Sequence, residues 1–368
     1  MKIGIDISQI VYGTGVSFYT KNLVENLLKI DQKNEYRLFF SSLRQTIPDD
    51  FKIQNKKAKI IKLPFPPTIL EPLWNQWHFP SIERFIGKVD VFHSSDWIQP
   101  PCPCAKVTTI HDFGFLKFPQ TAHPKIKKVM ERRLAWVKKE VDAVIVVSQA
   151  TKKDAMEILG LPEEKIKVIY EANPEDIKAV KDRKKIKEVL KKFRINGPYI
   201  LSVSTLEPRK NLKRLIQAFG MLADKDLSLV VVGKQGWGDL GLTNFKSSKV
   251  VFTGYVTQAE KAAFYSGALC LAFPSLYEGF GLPVLEAMSC GCPVLTSNVS
   301  SLPEIAGRAG LLVDPLDVRE IAKGLGEMVT NNDLRQDLIS KGFVQVKKFS
   351  WEKAARETLK VYEQVFQK

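Results

Sequence analysis

Cysteine and histidine are scarce in this sequence, whose 368 residues hold five Cys and four His. None of the cysteines has the C-x-x-C spacing that is typical of zinc sites and thioredoxin-like redox sites, because four of them form the C-x-C pairs at 102–104 and 290–292. The odd number also argues against a disulfide framework. We therefore expect five reduced cysteines that serve in packing, and no metal site.

Long apolar runs are absent too. No stretch approaches the roughly 18 apolar residues that a membrane-spanning helix needs, and the N-terminal MKIGIDIS has the pattern of a β-strand. It lacks the charged region, the apolar block and the small-residue cleavage site of a signal peptide. We expect a cytoplasmic protein, either free in solution or peripheral on the inner face of the cell membrane.

The chain lacks acidic residues relative to basic ones, and its formal net charge is +15. Residues 176–196 carry nine Lys or Arg against three acidic residues. No helix-turn-helix, zinc-finger or RNP signature accompanies this charge, so we expect no nucleic-acid partner. An anionic membrane surface or a phosphorylated substrate fits the charge, and a solvated lysine-rich surface is the alternative.

What the sequence does contain is a repeated pattern of short apolar runs, rich in β-branched residues, between helical segments. The runs are 2–8, 36–42, 58–64, 89–95, 106–112, 142–148, 166–170, 199–204, 227–233, 249–254, 268–275, 292–297 and 310–315. Continuous apolar strands between helices indicate parallel sheets that are covered on both faces. Each half of the chain therefore predicts a doubly wound, Rossmann-like α/β domain.

We expect the first domain at 1–195, including a basic linker at 172–195, and the second at 196–350. The tail 351–368 has a helical period and is expected to pack back on the first domain. Ligands bind such sheets beyond the carboxyl ends of the strands, so the cleft between the two domains is the expected site.

Two strand ends in the first half carry candidate residues. The first strand leads into a turn with Gly13 and Gly15 before a helix, which suits a phosphate or an acceptor group, although a purely structural turn is the alternative. The strand at 106–112 ends in TTIHDFGF, which places His111 at the cleft edge, where imidazole can contact a sugar hydroxyl or share a proton. Asp112 either orients this ring or caps the next turn.

Two strand ends in the second half carry charge. Arg209 and Lys210 follow the strand at 199–204 and precede a helix, an arrangement that suits a diphosphate with about two negative charges. Further on, YEGFGLPVLEAMS places Glu278 in a glycine-rich loop and Glu286 about one turn into the following helix. Two carboxylates at separate points suit a ligand with two polyol ends; a hydrolase acid pair or a helix N-cap is the alternative.

Together these motifs resemble the retaining glycosyltransferases of family 4, which have the GT-B fold of two facing Rossmann-like domains. The resemblance covers nearly the whole chain and is strongest in three segments: PYILSVSTLEPRKNL, GYVTQAEKAAFYSGALCLAFPSLYEGFGLPVLEAMSCGCPV and SSLPEIAGRAGLLVDP. Within the family, the second half is most similar to bacterial mannosyltransferase-type enzymes of surface polysaccharide assembly.

The resemblance implies roles for individual residues. Arg209 and Lys210 would hold the donor diphosphate, Glu286 the ribose hydroxyls of the nucleotide, and Glu278 the donor sugar. The remaining residues that the family implies are the backbone of Phe280, Gly281 and Leu282 at the phosphates and sugar, Tyr255 and Val256 at the base, His111 at the transferred sugar, and Gly15 near the diphosphate and acceptor. Two departures affect the acceptor side: the first loop is a short G-T-G, and YEANPED replaces an N-G-V/I-D type of turn.

The resemblance thus implies a retaining transfer of a hexose, of mannose or glucose type, from a nucleotide diphosphate sugar to a hydroxyl of a carbohydrate or lipid-linked acceptor. The cationic pair Arg209 and Lys210 can replace a metal ion at the diphosphate, so we expect neither a metal nor another cofactor. The alternatives are a GT-B sugar-nucleotide epimerase, which needs no acceptor, and a catalytically silent nucleotide-sugar binding subunit. A glycoside phosphorylase or glucan synthase would need polymer-binding insertions, for which this chain is too compact.

Overall fold

The computed structural model describes residues 1–224, 226–236 and 249–367, which form two parallel sheets surrounded by helices. The strands are β1 (Lys2–Asp6), β2 (Glu35–Ser41), β3 (Ala58–Leu63), β4 (Val91–Ser94), β5 (Ala105–Ile110), β6 (Ala143–Val146), β7 (Ile166–Val168), β8 (Tyr199–Val203), β9 (Ser228–Val232), β10 (Val250–Gly254), β11 (Cys270–Phe273), β12 (Val294–Ser297) and β13 (Gly310–Val313). The helices are α1 (Gly15–Ile30), α2 (Pro67–Glu71), α3 (Glu83–Ile86), α4 (Gly114–Lys117), α5 (Pro124–Glu140), α6 (Gln149–Leu159), α7 (Arg183–Lys192), α8 (Leu212–Gly220), α9 (Gln258–Gly267), α10 (Leu282–Ser289), α11 (Leu302–Ala306), α12 (Val318–Thr330), α13 (Asn332–Val346) and α14 (Trp351–Phe366).

The strands form a seven-stranded sheet with the order β3-β2-β1-β4-β5-β6-β7 and a six-stranded sheet with the order β10-β9-β8-β11-β12-β13. Neighbouring strands pair in parallel throughout both sheets. In the first sheet, β2 and β3 are added on one side of β1, and the chain then returns to add β4 to β7 on the other side. The second sheet has the same arrangement around β8. The predicted α/β class with two doubly wound parallel sheets is confirmed.

The chain forms two compact units. One contains Met1–Phe113, Pro124–Glu171 and Ser350–Lys368, and the other contains Gly114–His123 and Ala172–Phe349. The domain boundaries expected from the sequence stay a prediction, because compactness alone does not test which segments fold independently.

Burial follows position in the sheets. Every residue of the central strands β8, β11 and β12 is buried, whereas the edge strand β3 alternates between half-buried and exposed residues. Strands that are covered by helices on both faces have no polar side, which is why these runs read as continuously apolar in the sequence. The core of the second unit is formed by β8, β9 and β11 together with one face of α8 and α12.

The C-terminal helix α14 belongs to the first unit, where it packs along α1. The ring of Trp351 meets that of Tyr19 edge-on, with ring centres 5.8 Å apart. Further along α14, the hydroxyl of Tyr362 lies 2.7 Å from Nδ1 of His93, and Nε2 of His93 lies 2.9 Å from the hydroxyl of Thr109. His93 is therefore a fully enclosed polar link between α14 and the sheet.

This link makes the first unit sensitive to acid. Burial, with a smaller contribution from the charges of His111 and Arg133, lowers the pKa of His93 from 6.5 to about 3. His93 is neutral when folded, so the stability it contributes is complete above pH 6.5 and declines, by at most about 1.4 kcal/mol per pH unit, as the pH falls towards the lowered pKa. We therefore expect the urea concentration at the midpoint of unfolding to decrease as the pH is lowered from 6.5 to about 3. His93→Gln, which cannot be protonated, should reduce this pH dependence, and an unchanged slope in that variant would contradict the assignment.

The expectation of five reduced cysteines is wrong for one pair, because Cys102 and Cys104 form a disulfide. Their Cα atoms lie 5.2 Å apart, within the range that a disulfide bridges without moving the backbone. An odd cysteine count excludes only complete pairing, so it does not exclude a local bridge of this kind. Cys270, Cys290 and Cys292 are free and buried, as expected of packing cysteines.

No helix within the described part of the chain combines the length and the apolar character needed to cross a bilayer.

Candidate active site

The second sheet reverses its winding direction between β8 and β11, which are neighbours although β9 and β10 lie between them in sequence. The loops after two such strands diverge to opposite faces of the sheet and leave a crevice at its carboxyl edge. The loop after β8 carries Arg209 and Lys210, and the loop after β11 carries Glu278. The strand order thus brings together two motifs that are about 70 residues apart in sequence.

The three side chains are in contact. Nζ of Lys210 lies 2.7 Å from Oε1 of Glu278, and Nη1 of Arg209 lies 3.4 Å from Oε2 of the same carboxylate. Arg209 also donates to the carbonyl of Tyr277 at 2.7 Å and to Oε1 of Glu207 at 2.8 Å. These four charged side chains are 5–14% exposed, so they interact with little solvent screening.

Glu207 was not anticipated from the sequence. Its carboxylate is 5% exposed and lies 2.8 Å from Arg209 and 3.8 Å from Lys210. Two carboxylates and two cations therefore alternate in this cluster, which we call the β8–β11 charge cluster (Glu207, Arg209, Lys210 and Glu278). The balance of charge allows four ionised groups to be largely buried, since each has an opposite charge beside it.

Backbone contacts fix the loop that holds Glu278. Its amide donates to Oγ of Ser300 at 3.1 Å, and its carbonyl accepts from Oγ of Ser301 at 3.0 Å. Ser301 also donates to the carbonyl of Phe280 at 2.7 Å. Both serines follow β12, the next strand in the sheet, so the position of Glu278 depends on three consecutive strand ends.

The glycine turn after Glu278 is closely packed. Gly281 has φ +106°, a backbone angle that favours glycine, and a Cβ atom there would lie 2.8 Å from Cδ2 of Leu302. Phe280 is buried against Phe349, with ring centres 5.8 Å apart. Leu282 begins α10 directly after the turn, which agrees with the expected loop-to-helix transition.

Glu286 lies in α10 and forms a second cluster. Its Oε1 atom lies 2.7 Å from Nζ of Lys261 and its Oε2 atom accepts from the hydroxyl of Tyr265 at 2.7 Å; both partners belong to α9. Burial, followed by the negative charge of Glu286, raises the pKa of Tyr265 well above its ordinary value, so the phenol remains a donor. Glu278 and Glu286 thus have separate sets of partners.

Tyr255 and Val256 follow β10, at the same edge of the sheet as the preceding loops. Tyr255 is 67% exposed, and Nζ of Lys234 lies 4.6 Å from its ring centre, whereas Val256 is buried. The nearby Gly233 approaches the backbone so closely that a Cβ atom would lie 1.7 Å from the carbonyl oxygen of Ser204. This edge therefore offers an exposed aromatic ring near a glycine that packs directly on the neighbouring backbone.

The first sheet has its own reversal of winding, between β1 and β4. A small cavity of about 20 Å³ at this point is lined by residues that follow these strands, among them Asp6, Gln9 and Asp96. Burial raises the pKa of both aspartates, although Arg133 and His111 oppose the shift at Asp96.

His111 lines the same cavity. Its Nδ1 atom lies 3.0 Å from Oε1 of Glu171, and the ring of Tyr19 meets it edge-on with centres 4.5 Å apart. Burial lowers the pKa of His111, but the hydrogen bond to Glu171 and the charges of Asp96, Glu171 and Asp112 outweigh it and raise the pKa above its ordinary value. Glu171 therefore orients the ring, a role that sequence reasoning considered for Asp112.

Gly15 begins α1, with Thr14 as a capping residue that exchanges contacts with Ser17. A Cβ atom at Gly15 would meet nothing within 4 Å. Packing therefore does not require glycine at position 15. Open space beside a helix N-terminus is what a loop that binds a ligand needs.

Comparisons with known proteins identify the family of this chain. The family model described as Glycosyltransferase Family 4 matches residues 13–172, and the model described as Glycosyl transferases group 1 matches residues 182–345. The O-antigen chain mannosyltransferase B of Escherichia coli is 30% identical over 371 residues, which cover 95% of this chain and 96% of that protein. The chain belongs to the family 4 glycosyltransferases. The resemblance described from the motifs is thereby confirmed.

Solved structures show that this glycosyltransferase has the GT-B fold. Sucrose-phosphate synthase from Thermosynechococcus elongatus has a TM-score of 0.78 at 21% identity, with 100% of this chain and 99% of that chain covered. HepE from Anabaena, solved in complex with UDP and glucose, has a TM-score of 0.72 at 17% identity, with 99% and 100% covered.

Proposed function

We propose that this glycosyltransferase moves a hexose, of mannose or glucose type, from a nucleotide diphosphate sugar to an acceptor hydroxyl with retained anomeric configuration. The product would belong to a surface polysaccharide, a glycolipid or a lipid-linked glycan. The observation that carries the proposal is the β8–β11 charge cluster, which holds two cations and a carboxylate at the ligand-binding edge of the second sheet. The similarity to an O-antigen chain mannosyltransferase supports mannose as the sugar.

The nucleotide would be held at Glu286. An ionised carboxylate offers about four acceptor positions, and Lys261 and Tyr265 each occupy one oxygen atom from the α9 side. The positions that remain suit the two neighbouring hydroxyls of a ribose. Since Lys261 and Tyr265 fix both oxygens beforehand, binding costs little side-chain entropy. The exposed ring of Tyr255 would contact the base.

The diphosphate would lie against Arg209 and Lys210. Bond cleavage at the anomeric carbon develops negative charge on the leaving phosphate, and fixed cations in a site with little water stabilise that charge strongly. The carboxylates of Glu207 and Glu278 hold both cations in place before the ligand arrives. This arrangement would supply the charge neutralisation that a metal ion provides elsewhere, so we expect activity to survive a chelator.

The donor sugar would be held by Glu278, whose carboxylate accepts hydrogen bonds from sugar hydroxyls. His111, with a raised pKa, would donate to the transferred sugar, and the small cavity beside it at the β1–β4 edge would admit an acceptor hydroxyl. Retention follows if the leaving phosphate removes the acceptor proton on the same face of the sugar, as the family's mechanism implies.

The test is an assay in which the purified protein is incubated with nucleotide diphosphate hexoses and a panel of mannosyl and lipid-linked acceptors. We expect one donor to give a transfer product whose anomeric configuration, read by NMR, matches that of the donor. An inverted product would refute the retaining mechanism. An isomerised sugar nucleotide formed without acceptor would identify an epimerase, and tight donor binding without turnover would identify a binding subunit.

Glu286→Gln is expected to weaken nucleotide binding more than it slows the reaction. The substitution keeps the size of the side chain but removes the charge that ribose hydroxyls and Lys261 contact, so the KM for the donor should rise about tenfold with kcat within a few-fold of wild type. Thermal shift with the nucleoside diphosphate alone should show the same loss. Glu188→Gln, at an exposed position of α7, provides a control that should behave as wild type. An unchanged KM in Glu286→Gln would disprove the ribose assignment.

A further inference from the structure

Two large aromatic side chains of the first unit are exposed to an unusual degree. Trp77 is 67% exposed and Phe79 is 64% exposed, and they flank His78 in the segment between α2 and α3. Ile69, in the preceding helix α2, is 50% exposed. Side chains of this size are normally buried, and their clustering on a surface marks an interaction site.

Hydrogen bonds fix the conformation of the segment that presents these rings. Trp74 is fully buried, and its Nε1 atom donates to the carbonyl of Pro80 at 2.9 Å, so one hydrogen bond closes the loop that contains both exposed rings. The amide of Phe79 donates to the carbonyl of Leu73 at 3.2 Å. Trp77 and Phe79 are therefore held outward by the fold, and their exposure is not that of a frayed loop.

The basic helix α5 lies directly beside this segment. The ring of His78 stacks on that of Trp136 with centres 3.5 Å apart, and Nε1 of Trp136 donates to the carbonyl of Asn75 at 3.1 Å. Arg132 lies 3.3 Å from Glu71 at the end of α2. The sequence of α5, PKIKKVMERRLAWVKKE, carries seven Lys or Arg against two Glu, so a strongly positive helix borders the aromatic residues.

We propose that Ile69, Trp77 and Phe79, together with the exposed Lys139 of α5, whose Nζ atom lies 4.8 Å from the ring centre of Trp136, form a surface that docks on an anionic lipid bilayer. We call it the aromatic docking surface. Indole and phenyl rings partition into the interface between headgroups and acyl chains, while lysines beside them contact anionic headgroups. Charge selects this occupant over a second copy of the chain, because a symmetric dimer through the same surface would bring two positive α5 helices together.

The proposal does not depend on the transfer reaction, because it concerns a surface of the first unit alone. Docking there would place the protein at the membrane face, where a lipid-linked acceptor is present at high local concentration. Basic residues alone would give binding that salt abolishes completely, whereas inserted aromatic residues add a part that salt does not screen.

The experiment is co-sedimentation of the full chain with vesicles of zwitterionic lipid, with and without about one third anionic phospholipid. We expect wild type to bind the anionic vesicles at least about tenfold more tightly than the zwitterionic ones. Trp77→Ser/Phe79→Ser should reduce binding to anionic vesicles about tenfold or more, since two interfacial rings are removed. Lys139→Gln should reduce it at low salt and have less effect at about 1 M salt.

The matched control is Leu316→Ser/Val344→Ser in the second unit. The two replaced side chains are 62% and 63% exposed, and this variant should bind vesicles as wild type does. Circular dichroism should be unchanged in all of these variants, since the altered residues lie on the surface. Absence of vesicle binding in wild type, or wild-type binding by Trp77→Ser/Phe79→Ser, would overturn the proposal. A concentration-dependent dimer that this double variant abolishes, without vesicle binding, would assign the surface to a second copy instead.

Discussion

Lys210→Met is expected to lower the rate of sugar transfer by two to three orders of magnitude, roughly what the loss of one preorganised charge-stabilising donor costs an enzyme. The side chain is 12% exposed, and its Nζ atom lies 2.7 Å from Glu278 at the edge where the diphosphate is proposed to bind. Without Lys210, only Arg209 remains to stabilise the leaving phosphate. The measurement is kcat at saturating donor.

Loss of activity in this variant must be separated from loss of fold. Removing one partner from a largely buried ion pair leaves a carboxylate with less compensation, so we also expect the unfolding free energy to fall by up to about 3 kcal/mol. The double variant Lys210→Met/Glu278→Gln removes the charge from both partners and should recover most of that stability. Its transfer rate should stay low. If the double variant recovered activity along with stability, Lys210 would be a structural residue only.

An exposed lysine serves as the control for this prediction. Nζ of Lys192 lies 2.6 Å from Glu260, but the lysine side chain is 64% exposed. Exposed ion pairs contribute about 0–1 kcal/mol, so Lys192→Met should leave both stability and transfer close to wild type. Equal losses in Lys192→Met and Lys210→Met would mean that net charge, and not position, governs the activity.

The central strands of both sheets were predictable from the sequence because helices cover both of their faces. In β8 all five residues are buried and only Ser202 is polar, so the strand is recognisable without any partner. The motif residues were found for a similar reason, since Arg209, Lys210 and Glu278 all follow recognisable strands and parallel strands place their ligand-binding ends at one edge.

The partners of these residues were not predictable, because the contacts depend on strand order and on helix packing. Glu171 reaches His111 across 60 residues of sequence, and it lies in YEANPED, the segment that departs from the family pattern. Lys261 reaches Glu286 because α9 packs beside α10. Glu207 could have been predicted from the sequence. It lies two residues before Arg209, and a buried arginine needs a nearby carboxylate.

Glu278→Gln is expected to reduce kcat by about a hundredfold while the affinity for the nucleoside diphosphate stays the same or increases. The amide is nearly the same size as the carboxylate, but it has lost the charge that draws Lys210 at 2.7 Å and Arg209 at 3.4 Å. The two cations then have more of their charge available to a diphosphate, whereas the donor sugar has lost an anionic acceptor for its hydroxyls. Isothermal titration with the nucleoside diphosphate and steady-state kinetics with the whole donor separate these effects.

Glu207→Gln is the matched variant, because Glu207 belongs to the same cluster and lies 2.8 Å from Arg209 but has no proposed contact with the sugar. If Glu278 acts only by holding the cations, the two variants should lose similar activity. If it contacts the transferred sugar, Glu278→Gln should be slower than Glu207→Gln by at least about tenfold, since only the former loses a hydrogen bond that strengthens in the transition state. Weaker binding of the nucleoside diphosphate in Glu278→Gln would instead place the nucleotide at this carboxylate and reverse the assignment of Glu278 and Glu286 along the donor.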